Sequence, residues 1–161
     1  MIGWLLALCA LPLFAQKTHT LCAACHADQV AAFQTHKHFS KGLSCDACHG
    51  ASTQHRNSTG AVAPDRVAAP EEVPALCGGC HAAEKSEYAA SRHGQLVLAK
   101  SRTRAAHCGT CHGVHNLRTA VQMRQQCNKC HATLAESHPR VAAEASCFTC
   151  HAKHTLKGAR G

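Results

Sequence analysis

The chain has 161 residues and a formal net charge of +8. From Gln16 onward, Leu, Ile, Val and Phe together account for only 19 of 146 residues, which is below the roughly 20% typical of chains that can pack an ordinary core. This composition argues against a conventional globular domain held together by aliphatic side chains alone. The length allows one domain or a short array of small repeats.

Residues 2–15 form an uncharged run rich in Leu and Ala, and they end at a small residue. This pattern predicts a secretory signal peptide over residues 1–15, cleaved after Ala15, and therefore an exported protein. Cys9 lies inside this run. The run is short for a membrane span, and an uncleaved interfacial anchor is the alternative. We expect no membrane span after removal of the leader, because no other segment is apolar enough.

Residues 22–26 are the first of six copies of the pattern Cys-x-x-Cys-His, which is the attachment signature of c-type haem. Residues i and i+3 of a helical turn share one face, so both thiols can reach the vinyl groups of one porphyrin. The following histidine is then the proximal iron ligand. The predicted haem-binding cysteines are Cys22, Cys25, Cys45, Cys48, Cys77, Cys80, Cys108, Cys111, Cys127, Cys130, Cys147 and Cys150. The predicted proximal ligands are His26, His49, His81, His112, His131 and His151. The motif count predicts six covalently attached haem c groups, whose apolar surface replaces the missing core.

After the first motif, residues 27–38 are predicted to form one helix, because Ala, Gln and Val occur there without Gly or Pro. Gly42 ends this helix before the second motif. Residues 50–76 are punctuated by Ser, Thr, Gly and three prolines, which predicts a loop or linker. The third motif opens a predicted helix over residues 82–92, with Gly94 as its stop. Residues 95–106 are compatible with a further helix before the fourth motif.

The fifth motif is preceded by a predicted helix over residues 117–126. Residues 132–138 predict a short turn of helix, and Pro139 can begin another through Ser146. The residues after His154 predict a disordered tail. The expected fold class is therefore mainly α with extensive irregular loops, little or no β structure, and a core made of haem.

The motifs repeat in pairs. Phe33 and Tyr88 each lie eight residues after the second cysteine of a motif and five residues before a histidine. The two motifs of a pair begin 23, 31 and 20 residues apart in the three successive pairs. This order predicts three tandem two-haem modules. The predicted organisation is residues 16–60 for the first module, 61–76 for a linker, 77–116 for the second module, 117–154 for the third and 155–161 for a flexible tail.

Nine of the 15 histidines lie outside the motifs, and the repeat selects six of them as second axial ligands. These are His38, His55, His93, His115, His138 and His154. His19, His36 and His107 are left over, and any of them could replace a chosen ligand, with His36 competing directly with His38. His115 and His154 each follow a proximal histidine by three residues, a segment too short to reach both faces of one haem, so each must ligate a neighbouring haem. Ligation by two histidines predicts low-spin iron and low potentials.

Net positive charge often indicates a nucleic-acid partner. Here the basic residues are scattered along the chain. The propionates of six haems would bring the total charge to about −4. We therefore expect no nucleic-acid partner, and we expect the basic residues to neutralise propionates or to face solvent.

The chain resembles periplasmic multihaem c-type cytochromes with bis-histidine haems. The resemblance rests on Phe/Tyr-x4-His before a motif and on Cys-x-x-Cys-His-x-x-His, over residues 21–154. Relatives of this kind include small tetrahaem cytochromes, the pentahaem donor to nitrite reductase and decahaem components of outer-membrane conduits. The resemblance implies electron transfer along a haem chain, without substrate chemistry, in respiration that is anaerobic in those relatives. The implied partners are redox proteins: a membrane quinol-oxidising cytochrome, a terminal reductase or an outer-membrane conduit.

Three alternatives remain open from the sequence. A multihaem reductase of a small nitrogen or sulfur oxyanion would need one haem with an open iron site. A zinc protein would use the same Cys-x-x-Cys pairs, although zinc does not require a histidine directly after every pair. A disulfide scaffold would need bridges that cysteines three residues apart are poorly placed to form.

Overall fold

The computed structural model describes residues 19–101, 104–131 and 147–158. The predicted signal peptide, Cys9, His138 and the predicted short helices of residues 132–146 lie outside the described residues. The chain divides into two compact units, Met1–Arg66 and Val67–Gly161. As the composition predicts, the fold is mainly helical. The described residues contain no strand, and His151 and Gly158 form one isolated antiparallel bridge.

The first unit is built from short helices. Residues 19–23 are helical, and four further helices follow: α1 (Ala27–Gln34), α2 (Lys37–Ser40), α3 (Cys45–His49) and α4 (Thr53–Asn57). The second unit contains α5 (Val73–Gly78), α6 (Ala82–Ala89), α7 (Arg92–Leu98), α8 (Cys108–His112), α9 (Ala120–Cys130) and a 3₁₀ turn, Cys147–Thr149.

The apolar core is as thin as the composition predicts. Among the described residues, the buried large hydrophobic side chains are Val30, Phe33, Tyr88 and Val97. Four such side chains are few for the described length, so large apolar side chains supply little of the buried area of the described residues.

The prediction of one helix over residues 27–38 is wrong, because the helix ends at Gln34 and a new one begins at Lys37. His36 is extended between them, and its ring nitrogen Nδ1 accepts a hydrogen bond from the backbone N–H of His38 at 3.0 Å. The break allows Phe39 to pack edge-on against both Phe33 and His19. Aromatic packing in the first unit thus overrides the helical propensity of the sequence.

The prediction that Gly94 stops a helix is also wrong. The helix α6 ends at Ala89, and Gly94 lies buried inside the next helix, α7. A Cβ at Gly94 would lie 2.0 Å from the carbonyl oxygen of Tyr88. The glycine is needed for close backbone approach rather than for a left-handed turn. The helix α7 then ends at Leu98, so the helix-compatible segment 95–106 is helical over 95–98 and non-helical at its other described residues, 99–101 and 104–106.

Residues 50–76 are more ordered than a linker, since they contain α4 and the beginning of α5. Asp65 folds back onto the segment after α3, where its Oδ2 accepts from the backbone N–H of Ser52 at 2.7 Å. Ser52 in turn donates its hydroxyl to the carbonyl of His49. This loop therefore packs against the second motif of its own unit.

The helix predicted before the fifth motif is present, whereas the tail predicted after His154 begins with a folded turn. The helix expected over residues 117–126 is observed as α9, which begins with a capping box between Thr119 and Gln122 and continues into the fifth motif. The beginning of the predicted tail is folded: the N–H of Ala152 donates to the carbonyl of Lys157 at 3.0 Å.

Candidate haem-attachment and ligand sites

Each attachment motif winds through one helical turn. In four motifs the backbone N–H of the histidine donates to the carbonyl of the first cysteine at 2.9–3.0 Å: His26 to Cys22, His81 to Cys77, His131 to Cys127 and His151 to Cys147. The other two motifs are the five-residue helices α3 and α8. In this conformation the two thiols of a motif lie on the same face of the turn, as attachment to one porphyrin requires.

The motifs alternate in local structure. In the first, third and fifth motifs a helix ends before the histidine. The backbone φ of this histidine is −120° at His26, −104° at His81 and −115° at His131. The second and fourth motifs instead begin a helix at their first cysteine and end at a glycine with positive φ, Gly50 at 73° and Gly113 at 78°. A Cβ at Gly113 would lie 2.0 Å from the carbonyl oxygen of Asn116. The alternation gives the chain a two-motif structural period in its described part.

The first cysteines of neighbouring motifs contact each other in pairs. Side-chain hydrogen bonds join Cys22 to Cys45, Cys77 to Cys108 and Cys127 to Cys147. These are the motif pairs that the sequence groups into two-haem modules. Every described cysteine is a free thiol, so the described residues contain no disulfide.

The thiols of the second pair differ in acidity. The hydrogen bond from Cys77 lowers the pKa of Cys108 to about 7, against the effect of burial. The same bond, followed by burial, raises the pKa of Cys77 above its ordinary range. In the first pair, burial and the neighbouring Cys22 raise the pKa of Cys45 to about 11. The two thiols of the second pair thus differ in how readily they ionise.

Tyr88 packs close to the fourth motif. Burial, together with the nearby Cys108 and Cys111, raises the pKa of Tyr88 to about 12. The phenol therefore remains protonated, and it donates to the carbonyl oxygen of Ala106 at 3.0 Å. This bond ties the end of α6 to the segment that leads into the motif.

Three pairs of histidines have nearly equal distances between their ring centroids. The ring centroids are 6.0 Å apart for His26 and His55, 5.9 Å for His93 and His131, and 6.0 Å for His112 and His154. Each pair joins one motif histidine to one histidine outside the motifs. An imidazole nitrogen binds a metal at about 2.0 Å, and the ring centre lies roughly 1.1 Å behind it, so two rings on opposite sides of one ion stand about 6 Å apart.

Several candidate ligands are held through the nitrogen that would not bind iron. The Nδ1 atoms of His49, His55 and His151 lie 3.0, 2.7 and 3.2 Å from the carbonyl oxygens of Arg66, Val62 and Leu156. Nδ1 of His154 lies 3.2 Å from Oε2 of Glu87. A histidine whose Nδ1–H donates in this way presents an unprotonated Nε2 to a metal. The chemistry of these side chains therefore fits haem iron.

Two of the paired histidines are biased toward the neutral form that ligates metal. Burial, and then the neighbouring His131, lowers the pKa of His93. Burial, followed by His154 and His81, lowers the pKa of His112. A neutral imidazole is the form that binds iron.

His154 adopts an uncommon backbone conformation, with φ at +53°. A non-glycine residue in this region costs about 1–2 kcal/mol. The turn is closed on either side of His154 by the bonds of His151 and Ala152 to Leu156 and Lys157. The turn that contains this strained residue is thus held by its neighbours, and the ring of His154 lies 6.0 Å from that of His112.

The three histidines left over from the repeat make packing contacts. His19 is buried and stacks on Phe33, with ring centroids 5.5 Å apart. His36 is also buried against Phe33, and it caps α2. Its ring lies only 4.6 Å from that of His38, too close for an iron between them. His107 precedes α8 and covers Gly109.

The remaining candidate ligands are not among the three histidine pairs near 6 Å. His38, His49, His115 and His151 are half-buried and His81 is exposed, while His138 lies outside the described residues. Sequence reasoning missed the groups that orient the rings: the carbonyls of Val62 and Arg66, and the carboxylate of Glu87. No local pattern marks these groups, because each acts on a histidine that the fold brings to it.

Comparison with known proteins identifies one distant relative. The chain is 27% identical over 128 residues to "Multiheme cytochrome MtrA" of Shewanella baltica (strain OS185), a match that covers 70% of the chain and 36% of that protein. This match supports a relationship to multihaem c-type cytochromes. The chain spans about a third of the length of this relative. No family model and no solved structure matches significantly.

Two searches of the described residues give negative results. No group of three or more His, Cys, Asp or Glu side chains is arranged to hold a metal ion within residues 19–101, 104–131 and 147–158. Within the same ranges, no helix combines the length and the apolar character that a membrane crossing requires.

Proposed function

We propose that the chain is an electron-transfer cytochrome carrying six c-type haems, each bound through the two thiols of one motif. The observation that carries the proposal is the set of three histidine pairs near 6 Å, each combining a motif histidine with a second histidine. When bound, a c-type haem supplies reversible one-electron oxidation and reduction at its iron. The similarity to a protein named as a multihaem cytochrome supports the same function.

The ring pairs suggest particular axial ligands. His26 with His55, His131 with His93 and His112 with His154 would each hold one iron. His49, His81 and His151 would be the proximal ligands of the remaining haems. Their second ligands would come from His38, His115 and His138, and the packing of His36 against Phe33 favours His38 over His36 in that role.

Electron transfer is a better match than catalysis because two imidazoles leave an iron without an open position. It also requires haems close together, and the contacts between the first cysteines of paired motifs would bring their haems side by side. Two histidine ligands, without the methionine that raises the potential, give low potentials. The proposed location is the periplasm, and the proposed partners are redox proteins that deliver and accept single electrons.

The first test is haem content. The chain is produced with the haem-attachment machinery, and haem is measured by pyridine haemochrome and by intact mass. We expect six haems per chain, a low-spin electron paramagnetic resonance spectrum and no change on adding carbon monoxide. A colourless product that folds cooperatively would contradict the proposal. A high-spin signal in the wild-type protein that shifts with nitrite or cyanide would favour the reductase alternative.

The second test concerns ligand pairing. His154→Ala should leave one iron five-coordinate, which adds a high-spin signal and binding of carbon monoxide at one haem per chain. His55→Ala provides an independent case in the first unit. Lys153→Ala, an exposed neighbour, is the matched control. His107→Ala tests the competing ligand, and a high-spin signal in this variant would show that the pairing is wrong.

A further inference from the structure

The histidines of the proposed iron sites differ in what holds their Nδ1 atoms. For His49, His55 and His151 the acceptor is a neutral backbone carbonyl. For His154 it is the carboxylate of Glu87, at 3.2 Å. His81 lies 4.0 Å from Glu84, beyond hydrogen-bonding distance. The Nδ1 acceptor of His154 is therefore charged, whereas that of His55 is a neutral carbonyl.

We propose that Glu87 is a positioning residue that lowers the reduction potential of the iron held by His112 and His154. The inference rests on the proposed function. A carboxylate that accepts the Nδ1 proton makes the opposite nitrogen a stronger electron donor. Stronger donation stabilises the oxidised iron, and the negative charge nearby acts in the same direction.

The contact between Glu87 and His154 both positions the His154 ring and places a negative charge beside it. Glu87 lies near the end of α6, just before the buried Tyr88, so its backbone is fixed by the core of the second unit. Its carboxylate holds one edge of the His154 ring, while the ring as a whole faces His112 at 6.0 Å. Because the side chains of Glu87 and His154 remain 53% and 31% exposed, solvent reduces the effect without removing it.

The position equivalent to Glu87 in the first repeat carries no charge. Ala32 occupies the position equivalent to Glu87 in the first repeat, one residue before Phe33 as Glu87 is one residue before Tyr88. His55 instead bonds the carbonyl of Val62. The iron proposed between His26 and His55 and the iron proposed between His112 and His154 would thus have different electronic environments and different potentials.

The test compares Glu87→Gln with Glu84→Gln in the haem-loaded protein by spectroelectrochemical titration. Glutamine keeps an oxygen acceptor and removes the charge. We expect the potential of one haem to rise in Glu87→Gln, changing its ratio of reduced to oxidised form at fixed potential by about threefold to tenfold. Glu84→Gln should leave that ratio unchanged. In a His154→Ala background, Glu87→Gln should have a smaller effect on that haem, because only the direct influence of the charge remains.

The possible results separate this inference from the proposed function. Six low-spin haems with unchanged potentials in Glu87→Gln would overturn the inference and leave the proposed function intact. A high-spin signal in Glu87→Gln would also overturn it, because Glu87 would then be needed only to hold His154 in place. A wild-type chain without haem would refute the proposed function itself.

Discussion

Replacement of Gly94 by alanine should disrupt the packing of α7 on the end of α6. A Cβ at this position would lie 2.0 Å from the carbonyl oxygen of Tyr88, 2.8 Å from its carbonyl carbon and 2.9 Å from Cα of Ala89. All three are backbone atoms, so no flexible side chain can move aside. The helix α7 must therefore shift away from α6, and His93 shifts with it.

The change in the free energy of unfolding of Gly94→Ala follows from two opposing effects. Overpacking costs about 1–3 kcal/mol, and a 2.0 Å clash with backbone that cannot move aside lies in the upper part of that range, at about 2–3 kcal/mol. Alanine gains roughly 1 kcal/mol over glycine inside a helix. We expect a net loss of about 1–2 kcal/mol, which corresponds to a fall in Tm of roughly 2–8 °C for a chain of this size. Displacement of His93 from His131 should also add a high-spin fraction at one haem.

The assay is thermal unfolding of the haem-loaded protein by far-UV circular dichroism, together with electron paramagnetic resonance. Gly79→Ala is the matched control, because Gly79 has helical φ and ψ and the nearest atom to its added Cβ is 3.5 Å away. The control should match the wild-type protein or gain slightly in stability. If Gly94→Ala behaved like Gly79→Ala in both measurements, the steric reasoning would be refuted.

Three further predictions concern single side chains. Cys111→Ala should lower the haem count from six to five, measured by pyridine haemochrome, and a count that stayed at six would contradict the assignment of that motif. Arg118→Gln should destabilise the protein by about 1–3 kcal/mol, because its guanidinium donates to two carbonyls of α8 at 2.7 and 2.8 Å. The free energy of unfolding of Arg118→Gln is measured by denaturant titration of the haem-loaded protein. Arg92→Gln, at an exposed position, is the control and should match the wild-type protein. Asp65→Ala should cost about 1–2 kcal/mol through the lost bond to Ser52, measured in the same way, and an unchanged midpoint would show that the loop is held by other contacts.

The parts of the structure that the sequence predicts well are those determined locally. A Cys-x-x-Cys-His turn needs only neighbouring residues, and the capping box at Thr119 and Gln122 is complete within four positions. Composition likewise predicts the thin core, since it limits how many large side chains any fold can bury. The equivalence of Phe33 and Tyr88 was visible from spacing, and both side chains are buried.

The predictions that were wrong involve contacts between segments. Gly94 looks like a helix stop because glycine often has that role, but the deciding contact is with the backbone of Tyr88, which propensity does not encode. The break at His36 arises from packing of Phe39 on His19 and Phe33. The approach of His154 to His112 is a separate case: the sequence left the partner of His154 open, and the turn that carries it, with φ of +53°, has no sequence signal.

The pairing of histidines has a consequence for how the second unit holds together. His93 and His112 belong to the second predicted module, and their ring partners His131 and His154 belong to the third. If each pair holds an iron, each of these two modules supplies a ligand to a haem attached to the other. Neither module could then complete its ligation alone, so the two should fold and lose haem coordination together. The pair His26 and His55 lies entirely within the first unit, whose ligation at that iron requires no residue from the rest of the chain.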